Sequence, residues 1–595
     1  MEAATPNTAG AKPKAAASRA KKGVGGADSA GPETPETPAV QKLNVAEVVA
    51  LLAQLLADGH QAEVLKQVEA LLLSMSNNMD DLSQQLAVLR KYVFGQRTEK
   101  VSAEQLQLFL DAAVQQGLVD PEEAATGTDS DEADPAPDDA LPPGAKGPQR
   151  RPGRNPLPES LPRKRIELLV APENRVCLEC GLEKTCVGHE KSEVLNFVPG
   201  HFEVLEYLRE RLACRPCMAG LCTAPPALKL QQGSMCGPGL LSQVLVSKFL
   251  DHCPLYRQRI IFARSGVDLA ESTLGSWVEL GYKLLLSIAK HIWKSVNSCA
   301  VVGGDDTGLT VLDSEAEGGS KRGHIWAFVG YGDDGRPRYA AMRYTADWKK
   351  EGPAKFLKGF KGTLQGDAYA GWLHVAAVHI GIRLAGCMAH ARRKIKEALD
   401  QKALSAAYAL QIIQQLYQIE AAARENRLDP EARFQLRQEK SVPLMAKLKA
   451  WVDKHHGKAR PSSPLGKAVG YLHNQWSLLE IYLSDGRIPI DNNIVESQIR
   501  PVCLGKKNYM FAGSDEGARR AAVLYTVFAT CKIVGVEPWE YLNDVLPQLA
   551  QLEKSDETEE YAATDADVSH LVPHEWLARR EAETAAGALV LAAAA

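Results

Sequence analysis

The chain has 595 residues, 45% of them hydrophobic and 24% charged, with no unbroken apolar run long enough to span a membrane as a helix. That length suits several folded units, and the composition excludes a fibrous or wholly disordered chain. The formal net charge of −4 does not by itself suggest a nucleic-acid partner.

Residues 1–42 are rich in Ala, Pro, Gly, Ser and Lys and read as a disordered, slightly basic arm. They lack the apolar stretch of a secretory signal, so a cytoplasmic protein is expected. Residues 43–115 read as a helical coiled-coil region. Leu65, Val68, Leu72, Met75, Met79, Leu82, Leu86, Leu89 and Val93 alternate in steps of 3 and 4. Such spacing keeps one apolar seam facing a partner helix, so 65–93 is expected to pair two copies of the chain. A long helix packed on its own chain is the alternative.

Residues 116–150 form an acidic Pro/Gly linker that ends near Arg150, Arg151 and Arg154. Residues 111–140 hold ten acids and no Lys or Arg, and residues 551–583 hold ten acids against three bases. Without these two segments the balance moves from −4 to +13. Segregation of this kind suits a basic working surface joined to acidic linkers, or simply a solvated linker and tail.

Within residues 151–230, Cys177-x-x-Cys180 and Cys214-x-x-Cys217 are separated by 33 residues. Two such pairs supply four thiolates at the spacing of a tetrahedral structural Zn²⁺ site. Cys186, His189 and Cys222 are further candidate ligands. Val194–Gly200 and Phe202–Leu208 read as two strands of a zinc-binding β-hairpin. Residues 231–298 read as three helices, over Leu240–Leu250, from Pro254 to about Ser265, and from Ser272 onward. A short Gly turn between the last two gives the outline of a helix-turn-helix, or of plain helical packing.

From residue 299 the pattern becomes mixed α/β, extending to about 550. Ala300–Leu312, His324–Tyr331 and Arg338–Tyr344 read as strands, followed by a helix, a short strand ending at Asp367, a helix near Trp372 and a strand from Ile382. That order is the one expected of a ribonuclease-H-like layer. Asp305 in the first strand and Asp367 at the end of the fourth would then be neighbours, and two adjacent carboxylates call for a cation such as Mg²⁺. Residues 391–480 read as a helical insertion. After it, Asp491–Asn493 read as a helix cap, with Glu496 and Arg500 on one helical face. Cys387 and His390 read as local structure or a DNA contact. Residues 551–595 read as an acidic C-terminal tail.

These segments resemble the insertion-sequence-66 family, a bacterial group of DDE transposases. The resemblance is carried by Phe94–Lys100, the two Cys-x-x-Cys pairs, Val246–Gln258, Gln365–Gly371, Gly386–Arg393, Ile490–Glu496, Phe511–Ser514 and Tyr541–Leu546. It implies a ribonuclease-H-like catalytic core, two Mg²⁺ (or Mn²⁺) ions on Asp305, Asp367 and Glu496, and cleavage and joining at the element's terminal inverted repeats. It also implies contact with target DNA and with small accessory proteins of the same element. Arg392, Arg393, Arg500, Lys506 and Lys507 are candidates for holding phosphates. Asp306 stands where the family usually has Glu, and the adjacent pair leaves open which Asp binds metal. The rival reading is a non-catalytic zinc and helix-turn-helix DNA-binding protein with a decayed nuclease core.

Overall fold

The computed structural model describes Lys66 and Val68 and residues 101–124, 200–208, 211–214, 219–223, 229–552 and 567–594. Apart from Val68, the proposed seam lies outside these residues, as do Cys177, Cys180 and Cys217. The chain divides into two compact units, Met1–Gly95 and Gln96–Ala595, and every element from Ala103 onward belongs to the second.

Helix α1 (Ala103–Gln115) opens on a reciprocal Ser102–Gln105 capping pair and buries Leu106 and Leu110. The hairpin of the Cys-x-x-Cys region is formed by β1 (Arg211–Cys214) and β2 (Ala219–Thr223), paired antiparallel. Residues 201–208 are not in a strand, so the strand expected at Phe202–Leu208 is not formed; the one expected from Val194 lies, up to residue 199, outside the described residues. Three helices follow, α2 (Pro238–Phe249), α3 (Leu255–Arg264) and α4 (Glu271–Val296). Gly281 of α4 lets the Leu245 side chain of α2 approach closely; a Cβ there would lie 2.7 Å from Leu245 Cδ1.

A five-stranded mixed sheet is built from β3 (Val301–Leu312), β4 (Ser320–Tyr331) and β5 (Pro337–Thr345), then, after α5 (Glu351–Phe356), from β6 (Gly362–Gln365) and, after α6 (Ala370–Val378), β7 (Ile382–Ala385). The strand order is β5-β4-β3-β6-β7. β3, β4 and β5 pair antiparallel, whereas β6 runs parallel to both β3 and β7. From His324 to Tyr331 every residue of β4 is buried, as a central strand covered on both faces requires.

Five α-helices separate the sheet from the last site helix: α7 (Met388–Asp400), α8 (Ala406–Glu425), α9 (Pro430–Leu436), α10 (Val442–His455) and α11 (Pro464–Leu479). A π-helical turn at Arg437–Ser441 joins α9 to α10. It carries the wholly buried Arg437, whose guanidinium donates to Glu420 and to the carbonyls of Tyr482, Asp485 and Ile488. One side chain thereby secures the segment that leads into α12 (Asn493–Tyr509).

Helix α13 (Asp515–Val534) covers the β5 edge. Ala340 N donates to Thr530 Oγ1 at 3.1 Å and Met342 N to Thr526 Oγ1 at 2.9 Å. Four residues of helix rise about 6 Å and two residues of strand about 6.8 Å, so threonines at i and i+4 match alternate strand residues. The unpaired edge is satisfied by side chains rather than left open. Beyond α14 (Pro538–Leu549), residues from 567 onward also dock. Leu571 and Val572 are buried, and α15 (Pro573–Ala594) places Trp576 Nε1 2.7 Å from Asp544 Oδ2. Composition alone presents this part only as an acidic tail, because a few apolar residues among many acids decide the docking. Among the described residues no helix is long and apolar enough to cross a membrane.

Candidate active site

Three elements bring acids to one region. Asp305 lies in β3, opposite Ala327 of β4, just past the point where the β3–β6 ladder ends at Gly303. Asp367 follows β6 by two residues, and Glu496 lies in the first turn of α12. A cleft of about 370 Å³ is lined by Asp305, Asp306, Thr307, Glu496 and Arg500, with Arg393 entering from α7. Burial, helped by the charges of Asp367, Glu496 and Asp306 and opposed by its hydrogen bond from Asp306 N, raises the Asp305 carboxyl to about 7.

The glycines of β3 allow this convergence. A Cβ on Gly303 would meet Val495 Cγ2 at 2.6 Å and Asn492 Oδ1 at 2.9 Å; one on Gly304 would meet Trp372 at 3.0 Å. The start of α12 and the indole of α6 therefore press directly on the strand that carries Asp305. Asn492 does not cap α12 with its side chain. Its Nδ2 donates instead to Gly304 O at 3.0 Å, and its backbone N–H donates to Cys387 Sγ at 3.3 Å. Asp491 is buried and accepts from Tyr417 Oη at 2.7 Å and from Asn493 N at 3.1 Å.

Cys387 is thus part of the local support of α12. His390 Nε2 lies 3.8 Å from Glu496 Oε1. The two adjacent aspartates differ in their partners. Asp306 is engaged by His324 Nδ1 at 2.6 Å and Trp348 Nε1 at 3.1 Å. Asp367 Oδ1 accepts from Tyr369 N and Trp372 Nε1, each at 3.1 Å.

The basic candidates take different positions. Arg393 and Arg500 line the cleft, and Arg392 is half-buried on α7 beside Arg393. Lys506 Nζ donates to Thr307 Oγ1 and Gly308 O, both at 2.9 Å, and so braces α12 on β3. Lys507 is exposed near the end of the same helix. Sequence reasoning missed Asn492 as a clamp, and it missed Trp348. The signal for Trp348 is a tryptophan inside the polar run Ala346–Glu351, where burial would not be expected.

Among the described residues no three of His, Cys, Asp and Glu are grouped closely enough to form a ready metal site. The donors are nonetheless oxygens, and Asp305 is half-buried beside other negative charges, which suits a hard divalent cation. Mg²⁺ keeps several waters and needs only one or two carboxylates together with substrate phosphates.

Three family models match the chain. "Transposase C of IS166 homeodomain" covers residues 81–166, "zinc-finger binding domain of transposase IS66" covers 174–218, and "Transposase IS66 family" covers 233–520. Similar proteins occur in Sinorhizobium fredii (strain NBRC 101917 / NGR234). The uncharacterized protein y4hP is 33% identical over 486 residues, 78% of this chain and 84% of its own length. The uncharacterized protein y4jD is 34% identical over 408 residues, 66% of this chain and 78% of its own length. With its zinc-finger and DDE segments in that order, the chain belongs to the IS66 family of transposases.

Proposed function

We propose that this transposase binds the terminal inverted repeats of its own insertion sequence and catalyses metal-dependent strand cleavage and strand transfer. Asp305, Asp367 and Glu496 hold the metal in this reading. The observation that supports it most is that Asp305 and Glu496 line one cleft while the charge of Asp367 reaches Asp305. The strand order, with three antiparallel strands followed by two parallel ones, agrees with a ribonuclease-H-like layer.

Bound Mg²⁺ or Mn²⁺ would activate water, or later a 3′-hydroxyl, and stabilise the leaving oxygen. The three carboxylates act ionised, as ligands rather than proton donors. Arg393 and Arg500 hold the phosphate backbone at the cleft, and Arg392 and Lys507 add positive charge on the same helices. Lys506 contributes mainly by fixing α12. Helix α3, with Arg257 and Arg264 exposed, is the element offered to DNA outside the cleft. Cys177, Cys180, Cys214 and Cys217 hold a structural Zn²⁺, and the 65–93 seam pairs two chains.

The test uses DNA carrying the element's ends, with Mg²⁺ or Mn²⁺. Asp305→Ala, Asp367→Ala and Glu496→Gln should each abolish cleavage and leave DNA binding, because the phosphate contacts remain. A wild-type cleavage rate in any one variant removes that residue from the site. Binding without metal-dependent cleavage by the wild-type protein would favour the decayed-nuclease reading.

A further inference from the structure

We propose that Trp348, with Tyr369 and His324 packed against it, is a stacking platform for an unpaired DNA base at the rim of the acid-lined cleft. That the base flanks the cleaved phosphate rests on the nuclease reading; the platform itself does not.

Trp348 lies between β5 and α5, and 53% of its surface is open to solvent. An indole of that exposure in a polar segment leaves about half of its surface outside the core. It is nevertheless held in place. Its Nε1 donates to Asp306 Oδ1 at 3.1 Å, and Tyr369 Oη reaches its carbonyl at 3.5 Å. Its ring is nearly parallel to His324, 14° at 5.5 Å between centroids, and to Tyr369, 22° at 5.1 Å. Trp326 and Trp372 continue the aromatic contacts inward, each about perpendicular or tilted to its neighbour. The exposed ring is therefore pre-oriented, so little side-chain freedom remains to be lost on binding.

The surroundings select a base rather than another apolar partner. Lys349, ion-paired with Asp347 at 2.9 Å, and Lys350 follow Trp348 directly and are exposed, so positive charge for the phosphates attached to a stacked base stands beside the ring, chiefly on Lys350. The platform is also continuous with the cleft. The indole holds Asp306, a cleft residue, while Tyr369 N and the Trp372 indole hold Asp367. A base resting on Trp348 would have its own phosphate delivered toward the acids. Extruding a base is the general way an enzyme brings a stacked nucleotide within reach of its chemistry.

The experiment uses the full chain and six-nucleotide single strands with one 2-aminopurine, moved position by position; stacking on an aromatic ring quenches its fluorescence. Wild-type protein should quench at one position or a few. Trp348→Phe keeps a ring but not the donor to Asp306 and should still quench. Trp348→Gln keeps a donor but no ring; it should lose the quenching and bind about 5- to 150-fold more weakly, the range that stacking of one base supplies. Absence of quenching by the wild type, or wild-type quenching by Trp348→Gln, overturns the proposal. Quenching that follows the donor rather than the ring assigns Trp348 to holding Asp306 and also overturns it. Failure of the wild type to cleave end DNA while the ring-dependent quenching stands would remove the nuclease reading and leave the platform.

Discussion

Asn492 and Gly304 are joined by a buried hydrogen bond of 3.0 Å, from the side-chain amide of the first to the carbonyl of the second. The parallel pairing of β3 with β6 ends at Gly303, so this carbonyl would otherwise have no strand partner on that edge. The bond fixes the start of α12, and with it Glu496, against the strand of Asp305. Asn492→Ala should cost about 1–3 kcal/mol, the penalty for orphaning a buried acceptor. Urea unfolding measures that cost, and cleavage should fall with it. Gly303→Ala should be comparably harmful, since its methyl would meet Val495 Cγ2 at 2.6 Å. Adding Val495→Ala should recover part of the loss; no recovery would mean that the contact is not the cause.

Thr526 accepts from both Met342 N at 2.9 Å and Trp293 Nε1 at 3.2 Å. Thr526→Val keeps the shape and removes the acceptor. Each orphaned donor should cost about 1–3 kcal/mol, giving a clear fall in the thermal midpoint. A midpoint equal to wild type would show that water or a shifted strand replaces the hydroxyl.

The Glu420 carboxyl gives the fold an acid limit. Burial by itself would raise it, but the guanidiniums of Arg437 and Arg433 outweigh burial and hold it below its ordinary 4.5. A lowered folded-state value adds stability that is complete above the unfolded value and is lost as pH falls through the folded one. Wild-type stability should therefore drop below about pH 4.5. Glu420→Gln should already be weaker at neutral pH, by about 3–5 kcal/mol, because Arg437 is left buried without its counter-charge. Its acid dependence should be shallower, as denaturant midpoints across pH will show.

One Zn²⁺ per chain should be found by elemental analysis, because a hairpin region of this size has too little apolar core to fold without a staple. Cys177→Ser with Cys214→Ser should remove it. Less than one zinc in the wild type, or unchanged zinc in the double variant, would exclude these cysteines as the ligands.

Leu72→Asp with Leu86→Asp should abolish self-association and the joining of paired ends, since carboxylates in an apolar seam cost several kcal/mol, to order of magnitude. Met75 and Met79 in mid-seam soften the packing, so wild-type pairing should be of moderate strength. Light scattering that finds the wild type monomeric, alone and with end DNA, would turn the seam into an intrachain contact.

Most helices and strands from residue 236 onward are legible in the chain itself, because helical and strand periodicities are properties of adjacent residues. The two Cys-x-x-Cys pairs, the 3-4 seam and the order of strands from residue 300 are visible without any tertiary information. So are the acids, each marked by its place in a strand, after one, or early in a helix. Which surfaces meet is settled only by packing. Asn492 has the chemistry of a helix cap, yet its amide serves Gly304, a residue far away in the chain. Arg437 reads as one more base in a helical insertion, yet it is wholly buried and organises the approach to α12. Two consecutive aspartates look equivalent until Trp348 and His324 engage Asp306. In each case the deciding partner comes from another element, and the spacing of side chains along one element carries no record of what packs against it.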